Sequence, residues 1–202
     1  PHFLFNSLNA GAQLAMMEDA EQTGIFVEKM ADFFRYNVKK GQEDATLGEE
    51  LESVDNYIYI LNVRFAGDIH FSKEADESLE HVRVPSMILQ PIVENAVNHG
   101  IRDIEWEGRI HLTVTGDADY IRISVKDNGK GMTQEQIESV LSGNKEYGKK
   151  ESDSTGIGMN NVISRLELYY EEKGLVEISS EGEGKGTEVV VYIPVNYSNS
   201  RK

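Results

Sequence analysis

Glu94, Asn95, Asn98 and His99 interrupt an otherwise apolar stretch, LQPIVENAVNHG over 89–100. Helical winding puts Asn95 and His99 on one face. A carboxamide oxygen is a hard, neutral ligand, suited to Mg2+ that also keeps phosphate oxygens and waters. The same pattern also describes an amphipathic helix whose polar side is merely solvated. Asp127-Asn128-Gly129-Lys130-Gly131-Met132 directly follows a strand pattern. An Asp at a strand end can accept a hydrogen bond from an exocyclic amine such as that of adenine. The two glycines let the backbone approach a flat ring or a phosphate closely. Asp-Asn-Gly is equally a hairpin-turn signal.

Ser154-Thr155-Gly156-Ile157-Gly158-Met159-Asn160-Asn161 runs from a polar stretch into a helical pattern. Glycines at a helix start leave backbone N–H groups free to face a phosphate, and the helix dipole adds to the attraction. The dinucleotide fingerprint G-x-G-x-x-G fails here, because Asn161 holds the last place and the lead-in is polar. Gly184-Lys185-Gly186-Thr187 lies between two strand patterns. It is no G-x-x-x-x-G-K-[ST] phosphate loop, since Lys185 is followed by glycine, and in isolation it reads as a hairpin loop.

These segments need elements to hold them. Residues 1–65 read as helices: Phe5, Leu8 and Ala12 recur at helical spacing, as do Phe26, Met30, Phe33, Phe34 and Val38, with Gly41 as a stop. Thr46-Leu47-Gly48-Glu49 has capping-box form, opening a helix with Leu51, Val54, Ile58, Leu61 and Phe65 on one face. Three helices without a strand cannot easily close a core at this length, and pairing with a second copy is the natural remedy. After Gly67, residues 109–115 and 120–126 alternate apolar and polar around a turn at 116–119, and 175–180 with 188–195 make a second such pair. Helical patterns lie at 85–98, 133–141 and 161–172. The expected class is α+β, helices packed on one face of a mainly antiparallel sheet. Residues 142–155 hold almost nothing to bury and are expected to form a mobile loop.

The order of the four segments resembles the N, G1, G2 and G3 boxes of the GHKL (Bergerat) ATP-binding fold. Histidine kinases, type II topoisomerases, heat-shock chaperone ATPases and mismatch-repair ATPases share it. The resemblance implies ATP and Mg2+ as cofactors. It implies that Asn95 holds the Mg2+ on the triphosphate, with Glu94, Asn98 and His99 lining the same side. Asp127 would hydrogen-bond the adenine amine, with Gly129 and Gly131 beneath the ring, Thr187 completing the pocket and Met132 also among the cofactor-binding residues. Gly156 and Gly158 would hinge the lid and donate to phosphates, Met159 would also bind the cofactor, and a lid from about 133 to 155 would order over ATP. Hydrolysing members place a Glu general base one helical turn before the Mg2+-binding Asn, where Pro91 stands here, so attack by water is disfavoured.

The opening Pro1-His2-Phe3-Leu4-Phe5-Asn6-Ser7-Leu8-Asn9 resembles the phosphoacceptor motif of the LytS/YesM-type sensor histidine kinases, two-component signalling proteins. Thr46 to Leu51, Tyr57 to Phe65 and Leu89 to Gly100 fit the same family. That resemblance implies autophosphorylation on His2 and transfer to an Asp of a response regulator receiver domain. Asn6, one turn on, would orient the imidazole or position water. A neutral imidazole is a good nucleophile near pH 7. Phe3 occupies the place where other histidine-kinase families carry an acidic residue, so no general base for His2 is identified. The organisation implied is a helical phosphoacceptor and homodimerisation region over 1–66 and a GHKL domain over 67–202. The chain begins at Pro1 rather than Met and reads as an excised piece, and the resemblance implies that it is the cytoplasmic portion of a longer, membrane-anchored protein.

Composition sets the outer limits. With 35 Asp+Glu against 20 Lys+Arg the net charge is −15, which argues against nucleic acid or an anionic membrane surface as a partner. The absence of Cys removes disulfides, thiolate zinc sites and a cysteine nucleophile. His70, His81 and His111 follow no ligand spacing, and Trp106 carries no assignment. Two other functions fit the same residues: a GHKL Ser/Thr protein kinase of the anti-sigma type, and a non-catalytic dimerisation module with a degenerate nucleotide pocket.

Overall fold

The computed structural model describes residues 7, 10, 11, 13, 14, 16, 17, 20–39, 44–65, 69–102, 104–143 and 155–195. Helix α1 spans Ala20–Lys39 and buries Phe26, Met30 and Phe33, spaced to share one face. A short strand, β1 (Asp44–Thr46), leads into α2 (Leu47–Arg64). The capping box is present at that start: Glu49 N–H donates to Thr46 Oγ1 at 3.2 Å, and Thr46 N–H to Glu49 Oε2 at 2.8 Å. α1 and α2 meet through the stacked rings of Phe33 and Tyr57, centroids 5.8 Å apart.

β2 (Ile69–Ala75) and β3 (Arg83–Pro85) follow, with β3 pairing antiparallel to β1. Helix α3 (Leu89–Asn95) then runs into a π-helical turn, Ala96–Ile101. β4 (Gly108–Gly116) and β5 (Tyr120–Asp127) form a hairpin; α4 (Gln134–Ser142) and α5 (Thr155–Tyr170) precede β6 (Val176–Ser179) and β7 (Glu188–Pro194). The five-stranded sheet has the order β2-β4-β5-β7-β6. Only β2–β4 is parallel; the other three pairs are antiparallel.

Alternation decides which sheet face is dry. Ile110, Leu112 and Val114 of β4, Ile121, Ile123 and Val125 of β5, and Val189, Val191 and Ile193 of β7 point to one side. They join Ile92, Val93 and Val97 of the α3 segment and Met159, Val162 and Leu166 of α5 in one core. The opposite face carries a polar network in which Arg122 and Ser124 both donate to Glu188, at 2.8 and 2.6 Å. The α+β class with helices on one face is therefore realised. The same core includes Phe26 of α1 and Leu51, Val54 and Leu61 of α2, so it runs continuously across residue 66.

Three local expectations are corrected. Strand β2 had no signal, because as a sheet edge it buries only Ile69 outright and reads as polar. The helix expected over 85–98 begins at Leu89: Pro85 pairs in β3, and Met87 takes a left-handed φ of 63° that no helix can include. The helix expected from 161 already begins at Thr155. Residues 144–154, the centre of the expected mobile loop, lie outside the described residues.

Candidate functional site

Asp127 ends the central strand β5 and is 6% exposed. Its Oδ1 accepts from the backbone N–H of Gly129 at 2.8 Å and of Thr187 at 3.3 Å. Both donors fall on Oδ1 and, among the described residues, none reaches Oδ2, so one oxygen of a held carboxylate is left to a ligand. Burial pushes the Asp127 carboxyl above the usual range, and the two N–H bonds pull it partly back.

What lets a helix lie against this carboxylate is glycine. A Cβ on Gly100, at the end of the π-turn, would stand 2.8 Å from the Asp127 Cγ. A Cβ on Gly129 would collide with the Gly100 carbonyl. The two backbones are joined there, Lys130 N–H donating to that carbonyl at 3.0 Å. The π-turn therefore brings the end of the Asn95 segment onto the 127–131 loop. Such insertions recur at functional sites because they re-aim the residues that follow.

The glycine-rich loop after β6 closes on the same place. Asp127 N–H donates to the Thr187 carbonyl at 2.9 Å, and Gly186 N–H to the Gly129 carbonyl at 3.0 Å. Gly131, at φ 71°, faces the Gly182 carbonyl so closely that no side chain fits. Ser180 staples the two loops: its hydroxyl accepts from Met132 N–H at 3.0 Å and donates to the Gly186 carbonyl at 2.6 Å. Sequence reading missed Ser180, since a serine at a strand end carries no signal of its partners. It also left Trp106 unassigned, yet its indole N–H donates to the Asn128 carbonyl at 2.8 Å beside Asp127.

On α3, Asn95 is half-buried and its Nδ2 is fully buried with no hydrogen-bond partner among the described residues. A buried amide N–H without a protein acceptor fits an oxygen of a bound anion such as a phosphate. Glu94 is tied to Gln90, whose amide donates at 2.7 Å, and burial pushes its carboxyl up. His99 is half-buried and Asn98 exposed. Pro91, in the first turn of α3 where a missing N–H is tolerated, sits near α5; a Cβ on Gly158 would lie 4.0 Å from its Cβ. Gly156 and Gly158 fall in the first turn of α5, as expected of glycines at a helix start. Met159, 3% exposed, packs into the core. The structure thus brings Asp127, Gly129, Gly131, Met132 and Thr187 together and sets Gly100 against them. His2 and Asn6 lie outside the described residues.

Residues 83–197, more than half of the chain, match the family model for histidine kinase-, DNA gyrase B- and HSP90-like ATPases. The chain belongs to this family. Residues 1–69 match the family model for histidine kinases. Sensor histidine kinase YpdA of Escherichia coli is 35% identical over 196 residues, covering 96% of this chain and 32% of the relative. Sensor histidine kinase YesM of Bacillus subtilis is 29% identical, covering 96% and 31%, and sensor protein LytS of Oceanobacillus iheyensis is 30% identical, covering 100% and 34%. The chain spans about a third of the length of these relatives. Two solved structures show the fold. The catalytic domain of histidine kinase ThkA has a TM-score of 0.52 at 22% identity, covering 76% of this chain and 98% of that one. The histidine kinase domain of the Erythrobacter litoralis blue-light activated kinase EL346 also reaches 0.52, at 18% identity, covering 98% and 95%. Among the described residues, no helix is long and apolar enough to cross a membrane.

Proposed function

We propose that this chain is the catalytic portion of a two-component sensor histidine kinase, which phosphorylates its own His2 from Mg·ATP and passes the group to an Asp of a response regulator. The observation that carries the reading is Asp127, a buried carboxylate held by two N–H groups with Oδ2 left to accept from the adenine amine. Thr187 and the glycines at 129 and 131 would border the ring. Asn95 would hold Mg2+, with Glu94, Asn98 and His99 on the same side; bound there, the cation would neutralise charge on the phosphates. Gly156 and Gly158, in the first turn of α5, would let the backbone come close to the phosphate oxygens.

The proposed acceptor step is a displacement at the γ-phosphorus. An imidazole nitrogen of His2 forms the N–P bond, and the P–O bond to ADP breaks with its electron pair leaving on ADP. Pro91 supports transfer over hydrolysis, because a proline residue, its ring nitrogen tied up in an amide, has no group to take a proton from water. Exposed Met16, Met17, Ile25 and Val27 support a homodimer through the N-terminal helices. Localisation on the cytoplasmic side of a membrane, with anchoring outside this chain, follows from the same reading.

Incubation with γ-labelled Mg·ATP tests it. The expected product is labelled, acid-labile, alkali-stable protein that is absent from the His2→Gln variant. Acid-stable label that persists in His2→Gln would replace this reading with a Ser/Thr-directed kinase. Asn95→Ala should abolish the Mg2+-dependent labelling, and undiminished labelling there would overturn the metal assignment.

A further inference from the structure

Glu50 is a buried carboxylate, 1% exposed on α2, that no step above uses. Its Oε1 accepts from Met87 N–H at 2.6 Å, and its Oε2 from Ile88 and Leu89 N–H at 2.9 and 2.8 Å. The Ile88 and Leu89 N–H groups are donors that the start of α3 leaves without an intrahelical partner, Met87 stands just before them, and Ile88 offers no side-chain cap. A residue 38 positions away in the chain from Ile88 therefore caps the helix that carries Asn95. A fourth donor is the Tyr36 hydroxyl of α1, which bonds Oε1. Four donors are what make so buried a carboxylate tolerable.

The capped loop is held in a strained shape. Met87 adopts φ 63°, which a long side chain keeps only where its surroundings enforce it. From the other side, Arg165 of α5 donates to the Ser86 carbonyl. A second polar link runs beside the first: Ser53 of α2 donates to Gln90 Oε1 at 3.5 Å, and Gln90 donates to Glu94, the neighbour of Asn95.

We propose that Glu50 is a positioning residue for Asn95, and that the Tyr36 hydroxyl makes this position respond to α1. The proposal rests on the assignment of Asn95 to Mg·ATP made above. From Leu89 to Asn95, α3 is one stiff piece roughly 10 Å long at 1.5 Å per residue, so a shift of its cap is delivered to Asn95. Ligand groups must hold position to about 0.5 Å, so a small displacement at the cap is enough to weaken Mg·ATP. α1 follows the His2 segment in the chain, so a movement of the acceptor region would reach the nucleotide site through Tyr36 and Glu50.

Calorimetric titration of the chain with AMP-PNP, once with Mg2+ and once with EDTA, tests this. In the unaltered chain Mg2+ should raise affinity. Tyr36→Phe and Glu50→Gln should each cut that gain about tenfold, as loss of supporting partners around metal ligands does. Affinity in EDTA, which reports adenine recognition at Asp127, should stay within about twofold. An unchanged gain, or an equal loss with and without Mg2+, would overturn the positioning role. Tyr36→Phe removes one hydroxyl from a half-buried ring, so it carries the test where Glu50→Gln does not fold. Asn95→Ala separates the two levels. If it keeps the gain, the ligand assignment falls and this proposal with it; if it alone loses the gain, only the positioning role falls. Hydrogen exchange supplies the reciprocal measurement: Mg·AMP-PNP should slow exchange in α1 of the unaltered chain and not of Tyr36→Phe. Equal slowing in both would remove Tyr36 from the link.

Discussion

Asp127 is pulled in two directions at once. Burial favours its neutral form, while the Gly129 and Thr187 N–H groups favour the anion, and burial is the larger effect. Accepting a hydrogen bond from an amine on the free oxygen requires the ionised carboxylate. Nucleotide affinity should therefore be full well above the raised value and decline as the pH falls through it, at a higher pH than the ordinary Asp value of about 3.9 would give. Asp127→Asn should bind at least about tenfold more weakly, having lost a charge-assisted bond, and its affinity should not titrate. Calorimetry from about pH 5 to about pH 8 checks both points. An inflection that survives in Asp127→Asn would belong to another group.

At the scale of elements, local signals and long-range partners divide the work. The start of α2 was readable because a capping box lies within four consecutive residues. Thr46→Ala should cost about 1 kcal/mol, read as a lower denaturant midpoint. Gly24, inside α1, has nothing within 4 Å of where a Cβ would stand, so Gly24→Ala should instead stabilise by about 0.5–1 kcal/mol. A loss there would show that the exposed side of α1 is covered in solution. The start of α3 was misread for a related reason: its cap is supplied by Glu50 from another helix, and no nearby residue announces it.

At the scale of the whole molecule, two sets of acidic groups among the described residues have opposite effects on stability. Glu50, Glu94 and Asp127 are raised by burial. Each binds its proton more tightly folded than unfolded, so its contribution is greatest below the unfolded value and declines as pH rises through the folded one. Asp76, Glu107, Asp117 and Glu188 are lowered, the first three with their largest contribution from hydrogen bonds to Ser78, Arg109 and Tyr120, and Glu188 from Ser124. These stabilise above their unfolded values and stop doing so as pH falls through the lowered ones. Glu94→Gln should therefore lose less stability than the unaltered chain when pH rises from about 5 to about 7, measured by chemical denaturation at each pH. An identical slope would mean that Glu94 does not carry the burial effect.

The sequence alone determined what short-range chemistry determines: the alternation of β4, β5 and β7, the capping box of α2, the glycines at the start of α5, and the order of the Asn, Asp and Gly segments along the chain. Each is written in residues a few positions apart. Only the tertiary structure decided that Gly100 lies on the Asp127 carboxylate, that Ser180 ties Met132 to Gly186, that β2 completes the sheet in parallel, and that Glu50 caps α3. These contacts join parts of the chain whose spacing carries no periodicity. Backbone groups that must find partners once buried are what select them.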